Sequence, residues 1–283
     1  MSKRYFLFAF LVLIINWINP NVATAQSPGE VYHANGLHHR EMRKFETAIL
    51  QFTKAIEVDS SIAIYYLDRG ITYQYQREYY AAISDFKSAI QRDGSYEAYA
   101  RLSQVYVEMN EFDSALVSIS FAITSRPDDA RLFIQRAIIH MKKGDAELAE
   151  QDFDTGLAMQ PEEGNFHYNK AIFLLEQQDS IRAAGELELA IQYSPDHYKA
   201  LVLSADIFRN HEDYDEAMQR YNRAIEAQPS ISSAWLNRGL LKFYLKDKQE
   251  GCNDLSKAAL LGNNNARMAI DEYCSNRYKK LIK

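Results

Sequence analysis

The sequence predicts an all-α chain of stacked helical hairpins. Three observations carry that prediction. A pattern recurs about every 34 residues, small and bulky residues within it keep helical spacing, and prolines fall where the repeats end.

The repeat comes first because it sets the frame for every other assignment. A small residue stands at Ala48, Ala82, Ala115, Ala149, Ala183, Ala217 and Gly251, at intervals of 34, 33, 34, 34, 34 and 34. Four residues on, a bulky apolar column runs Phe52, Phe86, Ile119, Phe153, Leu187, Tyr221, Leu255. Three further on is a second small column, Ala55, Ala89, Ala122, Gly156, Ala190, Ala224, Ala258. Twelve before the first column lies a third, Gly36, Gly70, Ser103, Ala137, Ala171, Ala205, Gly239. Four before that is a large residue: Tyr32, Tyr66, Tyr99, Phe133, His167, Leu201, Trp235.

Spacings of three, four and seven put side chains on one stripe of an α-helix. Small residues opposite small residues let two helix backbones approach, and the bulky column fills the remaining space. Pro127, Pro161, Pro195 and Pro229 close four units, with Ser60 and Gly94 in the first two. Proline lacks an N–H and disfavours the α conformation in the residue before it, so it ends one helix or opens the next. Each unit is thus two antiparallel helices, and it buries its apolar face only by stacking on neighbours.

These columns resemble the tetratricopeptide repeat family. The period, the large–small–large–small order and the terminal proline carry the likeness, most clearly in Trp235-Leu-Asn-Arg-Gly239. Gly251 and Gly156 in place of alanine, and Ile119 in place of an aromatic, are local departures. The resemblance implies a right-handed superhelix of seven hairpins, about 29–62, 63–95, 96–129, 130–163, 164–197, 198–231 and 232–262. Residues 263–283 then form a capping helix, with helical spacing through Met268, Ile270, Tyr273 and Leu281 and a basic end from Arg277 to Lys283. In such a superhelix the first helix of each repeat lines a concave face. Its groove positions map onto Leu67, Asp68, Arg101, Gln104, Gln135, Tyr168, Asn169, Asp206, Asn237 and Phe243. A mixed polar and apolar face of this kind suits a peptide or a partner's helix. One subclass of the family clamps a terminal carboxylate with Lys and Asn. The corresponding positions here carry Ala100, Ile134, Tyr168, Val202 and Leu236, or Gln104, Ile138 and Ile172. Binding of the Hsp70 or Hsp90 tail is therefore not expected.

The N-terminus reads as a secretory signal. Lys3 and Arg4 precede an apolar run from Tyr5 to Ile18, Asn19-Pro20 breaks it, and Ala23-Thr24-Ala25 offers a small-x-small cleavage site after Ala25. The expectation is an exported chain, periplasmic or secreted, with residues 1–25 removed. The rival reading is an uncleaved membrane tether, although a span needs about 20 apolar residues. Loss of residues 1–25 moves the net charge from −6 to −8, an acidic balance unsuited to a phosphate backbone. Nucleic acid is not an expected partner.

Cys252 and Cys274 are equidistant from residue 263, in the Asn-rich turn that joins the two helices. Residues equidistant from an antiparallel turn come level, and an oxidising compartment lets such a pair bond. The alternative is two buried free thiols. No cofactor and no metal site is expected: His33, His38 and His39 lack the i, i+4 spacing of paired ligands, and His140 and His167 occupy inward columns. Gly-rich phosphate loops, nucleophile elbows and H-E-x-x-H are missing from the sequence. The functional expectation is a non-catalytic interaction scaffold. An enzyme would need a groove site with none of these motifs.

Overall fold

The computed structural model describes residues 27–274. The N-terminal segment with Lys3, Arg4 and Ala25, and the basic stretch from Arg277 to Lys283, lie outside the described residues.

Among the described residues there are fifteen α-helices and no strand. Helices α1 (Pro28–Glu41) and α2 (Phe45–Val58) form the first hairpin, α3 (Ala63–Tyr75) and α4 (Tyr79–Asp93) the second, and α5 (Tyr96–Glu108) and α6 (Phe112–Ser125) the third. Four more follow: α7 (Ala130–Lys143) with α8 (Ala146–Met159), α9 (Gly164–Glu176) with α10 (Ser180–Tyr193), α11 (Tyr198–Asn210) with α12 (Tyr214–Ala227), and α13 (Ser232–Tyr244) with α14 (Lys248–Leu260). A final helix, α15 (Asn264–Tyr273), packs on α14. The chain divides into two compact units, Met1–Ser125 and Arg126–Lys283. The first holds three hairpins, the second four and α15.

The packing columns lie where their spacing predicts. Ala48, Ala82, Ala115, Ala149, Ala183 and Ala217 are fully buried, as are all seven residues of the bulky column from Phe52 to Leu255. The closest helix approaches need glycine. A Cβ on Gly36 would lie 2.5 Å from Phe52 Cε1, so the Phe52 ring occupies the space a side chain would take. In the last hairpin a Cβ on Gly239 would meet the Gly251 carbonyl at 3.0 Å, and one on Gly251 the Gly239 carbonyl at 2.9 Å. Backbone there rests on backbone, which accounts for Gly251 where the other six hairpins have alanine.

The turns inside the hairpins share one device that the columns do not reveal. Arg43, Arg77, Asn110, Gly144, Gln178, Glu212 and Lys246 all have positive φ, from 58° to 94°. The residue after each donates its N–H to a carbonyl five residues back, for example Glu78 to Tyr73 at 2.9 Å and Asp179 to Leu174 at 2.9 Å. This left-handed cap satisfies the last carbonyls of the first helix. Asp179, Asp213 and Asp247 then use their side chains to cap the second helix, accepting from the N–H of Arg182, Glu216 and Glu250.

Polar groups are buried between the helices in pairs. Arg69 on α3 donates twice to Asp85 on α4, both at 2.8 Å. Arg136 grips Asp152 at 2.7 Å, and Arg238 grips Asp254 at 2.8 Å. Lys170 meets Glu186 at 3.0 Å. In the sixth hairpin the charge sits on the other helix: Arg220 donates to Ser204 and to Glu188 of the preceding hairpin.

At the C-terminus the expected capping helix is present, and the rest of the expected stretch, from 275 on, lies outside the described residues. The helix stops at Tyr273, and Cys274 is extended. Met268, counted on the helical stripe, is 69% exposed; Ala266, Ala269 and Ile270 face α14 instead. The Cys274 sulfur pairs with Cys252 on α14 at 2.01 Å, with the two Cα atoms 5.9 Å apart. A helix of ten residues is too short to hold itself, so its position depends on this tie and a small apolar contact.

Two measurements check these assignments. Arg77→Gly removes a Cβ from a left-handed residue, a conformation that costs an L-residue about 1–2 kcal/mol. Part is returned through the freer unfolded chain, so the urea midpoint should rise by the equivalent of about 0.5–1 kcal/mol. Thiol titration of the chain unfolded without reductant should find none free. Reduction should release both and lower stability by about 3 kcal/mol, the chain-entropy effect expected for a 22-residue separation.

Candidate functional site

The first helices of the hairpins carry the ten predicted groove residues, and the structure treats them unequally. In the first unit Leu67 and Asp68 are corrected: both are buried. Leu67 belongs to the apolar cluster around Phe86 and Leu102. Asp68 accepts from His33 Nε2 and Arg40 Nη1, each at 2.7 Å, so the carboxylate ties α3 to α1. Burial pushes its pKa up, but the hydrogen bonds and charges of His33 and Arg40 outweigh burial and hold it below the ordinary 3.8. Arg101 and Gln104 stay half-buried on α5, with Glu97 3.9 Å from Arg101.

In the second unit Gln135, Tyr168, Asn169, Asp206, Asn237 and Phe243 are all half-buried. Three of them converge. Asn237 on α13 donates to Asp206 on α11 at 2.9 Å, and the Tyr221 hydroxyl donates to the same carboxylate. Burial and Asp206 push the Tyr221 phenol well above its ordinary value. Arg209 lies 3.6 Å from Asp206. Beside this group, Tyr168 packs on His197 with ring centres 4.7 Å apart. Burial raises the Tyr168 phenol and lowers the His197 imidazole. Gln135 on α7, Asn169 on α9 and Phe243 lie outside the cluster. Phe243 packs against Tyr273 in a tilted ring contact, centres 5.3 Å apart.

The convergence borders an open cleft of about 200 Å³ lined by Tyr168, Tyr198, Val202, Leu203 and Ile231, with Lys199, Asp206 and Ser233 at its rim. The sequence reading missed Tyr198, Lys199, Leu203 and Ile231. The signal was available: 199, 202, 203 and 206 share one helical face.

Other polar clusters have structural roles. His167 contacts Glu186 at 2.7 Å and the Pro161 carbonyl at 2.8 Å. Trp235, in the same column, donates to the Pro229 carbonyl at 2.9 Å. Both side chains reach six residues back to hold the loop proline. Among the described residues no group of three or more His, Cys, Asp or Glu is placed to hold a metal ion. No described helix is long and apolar enough to cross a membrane.

The Asp68 contact makes a pH prediction. Its folded pKa lies below the unfolded one, so its contribution is complete above about pH 3.8 and lost as pH falls through the folded value. Asp68→Asn should destabilise at pH 7 by about 3 kcal/mol, leaving Arg40 without its buried carboxylate. The gap to wild type should narrow in urea unfolding below pH 4.

Segments 134–198, 174–230 and 202–250 match the family model described as tetratricopeptide repeat. No curated protein matches the sequence. Solved structures share the fold at low identity. A tetratricopeptide repeat protein from Parabacteroides merdae is 17% identical with a TM-score of 0.64, over 90% of this chain and 98% of that one. Pseudomonas aeruginosa pilF is 18% identical with a TM-score of 0.59, over 73% and 95%. A chain of the Cut9–Hcn1 hetero-tetramer is 14% identical with a TM-score of 0.63, over 95% of this chain and 50% of that one. The chain thus has the tetratricopeptide repeat fold, and its residues 134–250 carry that family's sequence.

Proposed function

We propose that the chain is a non-catalytic scaffold of an exported compartment, holding a peptide or partner helix on the face presented by its first helices. One observation carries this reading. Tyr168 and Asp206, from two successive hairpins, are held half-buried on an open cleft of mixed polar and apolar lining, and Asn237 of the next hairpin fixes Asp206 by donating to it. Recognition surfaces combine apolar contact with a few fixed polar groups in this way. Tetratricopeptide repeats bind peptide or protein partners as a rule, and the Cut9–Hcn1 structure is a complex of two proteins.

Export is supported by the N-terminal sequence from Lys3 to Ala25 and by the pairing of Cys252 with Cys274, which suits an oxidising compartment. Cleavage after Ala25 yields a free scaffold; a retained segment tethers the same scaffold to the membrane.

Crosslinking and pull-down from the native compartment should recover a discrete protein partner with the wild-type chain. Tyr168→Ala with Asn169→Ala should lower recovery at least about tenfold, since central aromatic anchors dominate interface energy. Recovery equal to wild type would place the binding surface elsewhere.

A further inference from the structure

The cleft between α9, α11 and α13 has a charge imbalance that selects its occupant. Asp206, the acidic group on its rim, is already engaged: Tyr221 and Asn237 donate to it, and Arg209 lies 3.6 Å away. Lys199, on the same rim, is exposed and makes no ion pair or hydrogen bond among the described residues. The hydroxyls of Tyr168, Tyr198 and Ser233 also line the cleft, and none has a hydrogen-bond partner among the described residues. What the cleft offers a ligand is one free ammonium and three hydroxyl donors around walls of Tyr168, Tyr198, Val202, Leu203 and Ile231.

We propose that this cleft takes a segment of a partner protein in which an acidic side chain neighbours a bulky apolar one. The apolar side chain enters the cleft, and the carboxylate meets Lys199 and the tyrosine hydroxyls. The inference rests on the scaffold reading above and names the chemistry of its occupant. A net charge near −8 after loss of residues 1–25 opposes an acidic partner at long range. That field is screened beyond about 8–10 Å, so at contact Lys199, the cleft's unpaired charge, sets the local sign.

The carboxylate belongs to a side chain in this proposal. The probe is therefore a random 12-residue peptide library displayed with its C-termini tethered, panned against the purified full chain. Enriched sequences should place Asp or Glu next to Phe, Tyr, Trp, Leu or Ile. Their synthetic copies, with amidated C-termini, should bind wild type about tenfold more tightly than Lys199→Glu. Exchanging Glu for Lys in the peptide should restore binding to that variant. Lys199 is exposed, so thermal unfolding of Lys199→Glu should match wild type. Enriched peptides that ignore Lys199→Glu but lose affinity with Tyr168→Ala would overturn the acidic occupant and leave the scaffold reading standing. No enrichment, or peptides indifferent to both substitutions, would overturn both.

Discussion

The contact on which the rest depends is between the two helices of each hairpin, where a fully buried alanine or glycine lets the backbones close and one bulky side chain seals the gap. Packed interiors tolerate neither a void nor an extra methylene at such a point. Fixing that separation sets where the first helix of the hairpin stands, and hence which of its side chains reach solvent. The cleft near Tyr168 follows from this geometry. Its walls are residues the close contact leaves half-exposed on α9, α11 and α13.

The hairpins were legible because their determinants are local and repeated. A small–bulky–small stripe at helical spacing constrains a helix face whatever surrounds it, and seven in-phase copies remove the ambiguity of one. The turns were less legible. Left-handed residues at Arg43, Arg77, Gln178, Glu212 and Lys246 carry none of the glycine that marks such a position. Only the shared phase of these sites, and the aspartates after several of them, would have exposed the motif. At the C-terminal helix the spacing misled only about the packed face: Met268 and Tyr273 keep helical spacing without being buried, and Ala266, Ala269 and Ile270 make the contact.

The site was half legible for a related reason. Register alone says which residues occupy the first helix, but not which are already engaged. Asp68 stands at a groove position, yet His33 and Arg40, 35 and 28 residues away in sequence, claim its carboxylate. Lys199 shares a helical face with Val202, Leu203 and Asp206, but that register does not say that its ammonium is unengaged. It gains meaning only when Asp206 is seen to be satisfied by Tyr221, Asn237 and Arg209.

The buried ion pairs have a bearing on how such a chain finds its own fold. Seven hairpins alike in their apolar columns invite a first helix to dock on the wrong second helix, since every alanine fits every other. The charged positions break that equivalence. Arg69 belongs opposite Asp85, while the same place in the third hairpin holds Ser118, and in the sixth Arg220 itself stands there. A misdocked Arg69 would be buried against a hydroxyl or another guanidinium, with its desolvation uncompensated. The second, fourth, fifth and seventh hairpins share one label, a base on the first helix and an acid on the second, which the third and sixth lack. The charges thus exclude some of the wrong pairings that the monotony of the core would allow during assembly.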